Sequence, residues 1–287
     1  MSNSRLIIEQ RSRDIGDFLV GRLIPFRKKR MIGPFCFIDH IGPTIVGPTK
    51  FMDIGQHPHI GLTTLTYLLK GEITHRDSTG AVEIIKSGDV GLMTSGKGVV
   101  HTERTPEHLR DGGMYKIHGF QIWIALPKEL EEMVPNFSYT EKSKLPFWVS
   151  DGVEYTLIAG KGYGKVSPAP VYSHLFMLQM ISKEKSKVST LENLEGEIGI
   201  YIVEGYIEAC DEKIESGKML VSKNDKCSFT IGQNSLLLVF GGKAFEERRF
   251  IDWNFVSSSK KKIKKAKQQW INKEFKMVPG ESGYIEL

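Results

Sequence analysis

The chain has little cysteine. Cys36, Cys210 and Cys227 are the only three in 287 residues. They lie far apart, and no pair has the close spacing of a zinc knuckle or a redox motif. A disulfide framework is therefore excluded, and reduced, mostly buried thiols are expected. No run of about 18 apolar residues occurs, so no membrane-spanning helix and no membrane role are expected. Residues 1–10 lack the long apolar stretch and small-residue cleavage site of a secretory signal, which leads to an expected cytoplasmic location. Charge of one sign is scarce as well. The net charge is +5, and six lysines between Lys260 and Lys267 account for the excess. That run reads as the solvated face of a helix. No aromatic platform or nucleic-acid motif accompanies it, so direct nucleic-acid binding is not expected. Finally, histidine is absent after His174.

What the chain does contain is a globular composition, 40% hydrophobic and 25% charged, at a length suited to two domains. Short strand-like segments recur between glycine-bearing turns, as in residues 62–69, 119–126 and 235–240. Helical periodicity is confined to residues 257–276, where Ser257, Ser258 or Ser259 is placed to cap a helix running through Ile263, Trp270 and Ile271. The segment Tyr67-Leu68-Leu69-Lys70-Gly71-Glu72-Ile73 is repeated as Tyr201-Ile202-Val203-Glu204-Gly205-Tyr206-Ile207. Each copy is followed by a second turn signal, Ser87-Gly88 and Ser216-Gly217. The same signals in the same order predict two copies of one β-domain. The expected fold class is all-β, two tandem β-barrels with a C-terminal helix. The seam is placed near 142–151, where Pro146 interrupts the strand pattern, giving domains 1–145 and 146–287.

Five of the eight histidines lie between His57 and His108. His57 and His59 are two apart, and so are His101 and Glu103. On strands, each pair projects from one face. Two such strands side by side in a barrel would surround one point with three imidazoles and a carboxylate. That donor set holds one divalent metal ion; without a thiolate it suits Fe(II), Mn, Co, Ni, Cu or Zn. Four protein ligands in an octahedral sphere leave two positions open. Pro58, between the two histidines, lacks a ladder donor and points to an edge strand or a bulge. The second copy has no histidine to offer at these positions.

Three segments resemble the pirin family: Gly33-Pro34-Phe35-Cys36-Phe37-Ile38-Asp39-His40-Ile41-Gly42-Pro43, His57-Pro58-His59-Ile60-Gly61, and Met93-Thr94-Ser95-Gly96-Lys97-Gly98-Val99-Val100-His101-Thr102-Glu103. The likeness also takes in 119–123 and 253–259. It implies two cupin (jelly-roll) barrels. The N-terminal one would bind one iron, as Fe(II), through His57, His59, His101 and Glu103, and the C-terminal one would be metal-free. Many cupins carry a glutamate four residues after the second histidine. Here that position is Thr63, which leaves Glu103 as the oxygen ligand. The resemblance further implies quercetin 2,3-dioxygenase-type ring cleavage, with a small aromatic flavonol and O2 as substrates and Glu103 as the catalytic base. Phe51, Met52, Met93 and Phe120 are candidate pocket residues. The alternative it carries is an iron-binding, redox-sensitive regulator of a transcription factor or enzyme. In that reading the surface near His57–Gly61 responds to iron, and the 260–267 helix is the contact. A monomer is expected.

Overall fold

The computed structural model describes residues 6–15, 18–48, 50–188, 194–209, 211–222 and 228–287. Cys36 is buried, as expected; Cys210 and Cys227 lie outside the described residues. The chain is strand-rich with one α-helix, Lys260–Ile271, among the described residues. No helix there is long and apolar enough to cross a membrane.

Two compact units form. One takes its described residues from Met1–Arg11, Gly21–Phe37 and Ser143–Phe245, the other from Ser12–Val20, Ile38–Lys142 and Glu246–Leu287. One break between the units falls between Lys142 and Ser143, and the chain ends are shared out differently from the expected domains 1–145 and 146–287. The physical reason is pairing across long sequence separations. Strand Leu6–Glu9 completes its ladder against Lys218–Ser222, and the C-terminal helix buries its apolar face with Ile60 and Val100. Neither partnership can be read from local periodicity.

The second of these units carries seven of the eight histidines, His174 lying in the first. A seven-stranded sheet includes, side by side, Asn136–Thr140, Val90–Thr94, Leu62–Lys70 and Tyr115–Ala125. Asp53–His59, Val99–Arg104, Glu72–Asp77 and Val82–Lys86 form a four-stranded sheet in that order. The other unit repeats the plan, with a four-stranded sheet ordered Ser186–Val188, Phe229–Ile231, Tyr206–Ala209, Glu212–Glu215. Gly71 and Gly205 make the corresponding turns at φ +89° and +76°. Only glycine adopts that region without a Cβ penalty, which is why the repeat is legible from those two residues. Together these features define two cupin barrels.

The helix buries Ile263, Ala266 and Trp270, spaced to share one face, and leaves Lys260, Lys261, Lys264 and Lys265 exposed. Ser259 occupies the N-cap position, yet its side chain makes no cap hydrogen bond. The buried Glu131 carboxylate organises the entry instead. It accepts from Ser257 Oγ at 2.7 Å and from Ser258 N at 2.6 Å, and Arg249 Nε lies 3.5 Å away.

Candidate metal centre

Strand Asp53–His59 is an edge strand of its sheet, consistent with Pro58. It pairs with Val99–Arg104 so that His57 stands opposite His101 and Pro58 opposite Val100. Three imidazoles meet inside the barrel. The rings of His57 and His101 are 4.3 Å apart, those of His59 and His101 5.0 Å, and those of His57 and His59 5.1 Å. The potential ligand atoms of His57, His59 and His101 all lie within 4.8 Å of one another. All three residues are buried, at 8%, 1% and 0% exposure.

Hydrogen bonds set their tautomers. His57 Nδ1 donates to Gly55 O at 2.8 Å, and His59 Nδ1 donates to Asn254 O at 3.1 Å. Each therefore turns an Nε2 lone pair inward, as metal-binding histidines do. His59 Nε2 lies 3.2 Å from His101 Nε2. Two ligands at about 2.1 Å and a right angle would sit roughly 3 Å apart, so this spacing suits one shared cation. Among the described residues the buried His101 Nδ1 has no hydrogen-bond partner. If Nδ1 carries the proton, two lone pairs face each other at 3.2 Å; if Nε2 carries it, a bare Nδ1 is stranded. Inward lone pairs of this kind are what a cation relieves.

Burial removes the solvation that an imidazolium needs. Desolvation, opposed by the Gly55 hydrogen bond and helped by nearby His75, lowers His57 to about 4. Desolvation first, and neighbouring histidines second, hold His59 and His101 well below 6.5. All three are neutral at pH 7, the form that binds metal.

Glu103 is brought into the same barrel, at 4% exposure, but outside the close group of three nitrogens. Its Oε1 accepts from Gln121 Nε2 at 2.9 Å, and Thr66 Oγ1 lies 3.4 Å away. Burial pushes its pKa up to about 7 against these hydrogen bonds. The register shift lies in the Asp53–His59 strand, where three steps from Ile54 to His57 oppose two from Glu103 to His101, while against Glu72–Asp77 the pairing of His101, Thr102 and Glu103 is unbroken.

Several expected neighbours stand elsewhere. Thr63 Oγ1 faces Thr94 Oγ1 at 3.3 Å. Thr64 and Thr66 lie on the other face of that strand, cross-strand from Trp123 and Gln121. Thr63 therefore does not stand at the centre, and Thr66 is the threonine that reaches Glu103. Phe120 also lies on the far face, stacked on His40 at 4.9 Å. Met52 packs with Phe18, Val20, Leu68 and Ile73, and Phe51 lies under the Arg110 guanidinium at 4.9 Å. Met93, cross-strand from Thr64, shares the face of Trp123, whose ring is 5.1 Å from that of His59.

Two neighbours went unread in the sequence. His75 and Asp77 are joined at 3.0 Å, with the His75 ring 5.3 Å from that of His101. Burial acts to raise Asp77, but hydrogen bonds from His75 and Thr79 outweigh it and hold the carboxyl below its usual value. These residues are two apart, the same spacing that marks the other pairs, so the signal was there.

A two-cupin protein with a buried three-histidine centre in one barrel is the class that fold and site define. The Pirin family model matches residues 18–124, and the model of the Pirin C-terminal cupin domain matches 177–276. A pirin-like protein of Caulobacter vibrioides is 42% identical over 269 residues, covering 92% of each chain. The chain belongs to the pirin family. Two crystal structures of quercetin 2,3-dioxygenase from Acinetobacter baumannii are similar to it. One has a TM-score of 0.88 at 30% identity, covering 99% of this chain and 94% of that one. The other has a TM-score of 0.86 at 25% identity, covering 95% and 98%.

Proposed function

We propose that this chain is a metal-dependent dioxygenase that opens the central ring of a flavonol such as quercetin with O2 and releases carbon monoxide. The observation that carries the reading is the convergence of three neutral, buried imidazoles beside a buried carboxyl. The 30% identity to a quercetin 2,3-dioxygenase supports the substrate class. His57, His59 and His101 hold the metal, which we take to be Fe(II), with Glu103 as the oxygen donor. When bound, such a cation is a Lewis acid that stabilises the deprotonated flavonol hydroxyl.

The remaining work belongs to the side chains. Glu103, poised near neutrality, takes the hydroxyl proton at a carboxylate oxygen. Gln121 and Thr66 hold that carboxyl in place. Asn254 and Gly55 keep His59 and His57 in the tautomer that faces inward. Trp123 and Met93 supply apolar surface beside His59 and help exclude water. The regulator reading asks the surface near residues 57–61 to respond to iron, and those five residues are buried.

The test is anaerobic loading with Fe(II), then addition of quercetin and air. Wild-type protein should bleach the flavonol absorbance, while His57→Ala and Glu103→Ala should not. Turnover no faster than free iron would end the enzyme reading for this substrate.

A further inference from the structure

The strand that carries His57 and His59 is poorly constrained by its own ladder. It has one neighbour in its sheet, and Pro58 has no N–H to donate. Register runs from Val99↔His59 to His101↔His57 and resumes only at Glu103↔Ile54. Gly55 and Gln56, next to His57, fall inside that irregularity.

The end of the chain supplies what the ladder leaves out. Val278 N donates to Gln56 Oε1 at 2.8 Å, Gln56 Nε2 donates to Gly283 O at 2.7 Å, and Ile285 N donates to Gln56 O at 2.8 Å. The carbonyl and both side-chain polar atoms of Gln56, which is 1% exposed, are thus bonded to residues 278–285. That tail is itself anchored. Glu281 accepts two nitrogens of Arg104, at 2.6 and 3.0 Å to one oxygen, one residue beyond Glu103. Trp270 Nε1 donates to Ile285 O at 3.0 Å.

We propose that residues 278–285 are a positioning element of the metal centre, holding His57 through Gln56 and the Glu103 end of its strand through Arg104. The inference rests on reading His57, His59 and His101 as metal ligands. Partners just outside a ligand shell typically change metal affinity by about 10–100-fold. The tail acts at one remove further, through the backbone of the ligand strand.

The experiment uses full-length metal-free protein and cobalt(II) as the probe. Affinity and the visible ligand-field spectrum are measured for wild type, Gln56→Ala and Glu281→Gln, with the melting temperature of each metal-free form. Ile200→Ala, in the apolar core of the other unit and away from both the tail and the histidines, serves as the control for general destabilisation. We expect Gln56→Ala to bind cobalt roughly tenfold or more weakly, with a shifted spectrum at saturation. Glu281→Gln should move both readouts the same way by less, and it keeps the test decisive if Gln56→Ala does not fold. Ile200→Ala should lower the melting temperature and leave the spectrum unchanged. Wild type without stoichiometric cobalt would overturn the metal reading itself. Wild-type binding matched in affinity and spectrum by the tail variants would overturn this inference alone. A loss no greater than that of Ile200→Ala at equal melting temperature would do the same.

Discussion

At the residue scale, burial acts in opposite senses on the two kinds of donor. It keeps His57, His59 and His101 neutral and draws Glu103 toward the protonated form, because in each case the charged species loses its water. Glu103→Gln keeps the shape and removes the charge. If Glu103 ligates, this change should weaken metal binding by at least about tenfold in a competition assay while the metal-free protein melts nearly as before. Unchanged affinity would remove Glu103 from the ligand set. A second residue-scale prediction concerns His40, whose Nε2 is 2.8 Å from that of His118. Desolvation, then the His118 charge, lower His40 from 6.5 to about 3. Between those values the unfolded chain binds a proton that the folded chain refuses, so stability falls as pH is lowered from 6.5 toward 3. At pH 5.5 the loss for one such histidine is about 1.4 kcal/mol relative to alkaline pH. Urea midpoints of metal-free wild type and His40→Leu at pH 7.5 and 5.5 check this. The variant should lose less on acidification, and equal losses would show that His40 titrates normally.

At the element scale, the C-terminal helix is held by one face and by Glu131. Trp270 is 2% exposed, so Trp270→Ala should cost about 3–5 kcal/mol in a denaturant titration. Lys264→Ala, on the solvated face, should stay within about 0.5 kcal/mol. Similar costs for the two would contradict the assignment of faces. Glu131 and Arg249 have side chains 1% and 0% exposed. Glu131→Ala leaves the guanidinium without its buried carboxylate and should cost about 3–5 kcal/mol, read from the same titration. The pairs His57/His59 and His101/Glu103 were legible at this scale because a strand has a period of two. His57 and His59 obey that period. His101 and Glu103 obey it too, pairing without interruption with Asp77 and His75, yet the Glu103 carboxyl rests on Gln121 and not among the three nitrogens.

At the scale of the whole molecule, the two barrels share a plan and differ in what fills them. Counting from Gly71 and Gly205, Ala209 takes the place of His75. The register Ile207↔Ile231 and Glu208↔Thr230 carries Phe229 opposite Ala209, where the other barrel has Glu103 opposite His75. Val188, Ile198, Ile200, Ile202 and Ile207 pack with Phe229 into an apolar core. Such a lining has no lone pairs to offer a cation. Elemental analysis of metal-loaded protein should therefore find one metal ion per chain, and two would contradict the difference between the barrels.

The sequence by itself determined the β-repeat, the turn glycines, the helix face and the histidine pairs, because each follows from a local rule of spacing or backbone conformation. It also led to Thr63 and Phe120, which alternation places on the far faces of their strands once the register is known. Only the tertiary structure decided that the carboxyl of Glu103 rests on Gln121, that Asn254, 195 residues away, orients His59, and that residues 278–285 grip Gln56. Those partners are chosen by how distant strands and the chain end come to lie together, and no periodicity within a short window encodes that choice.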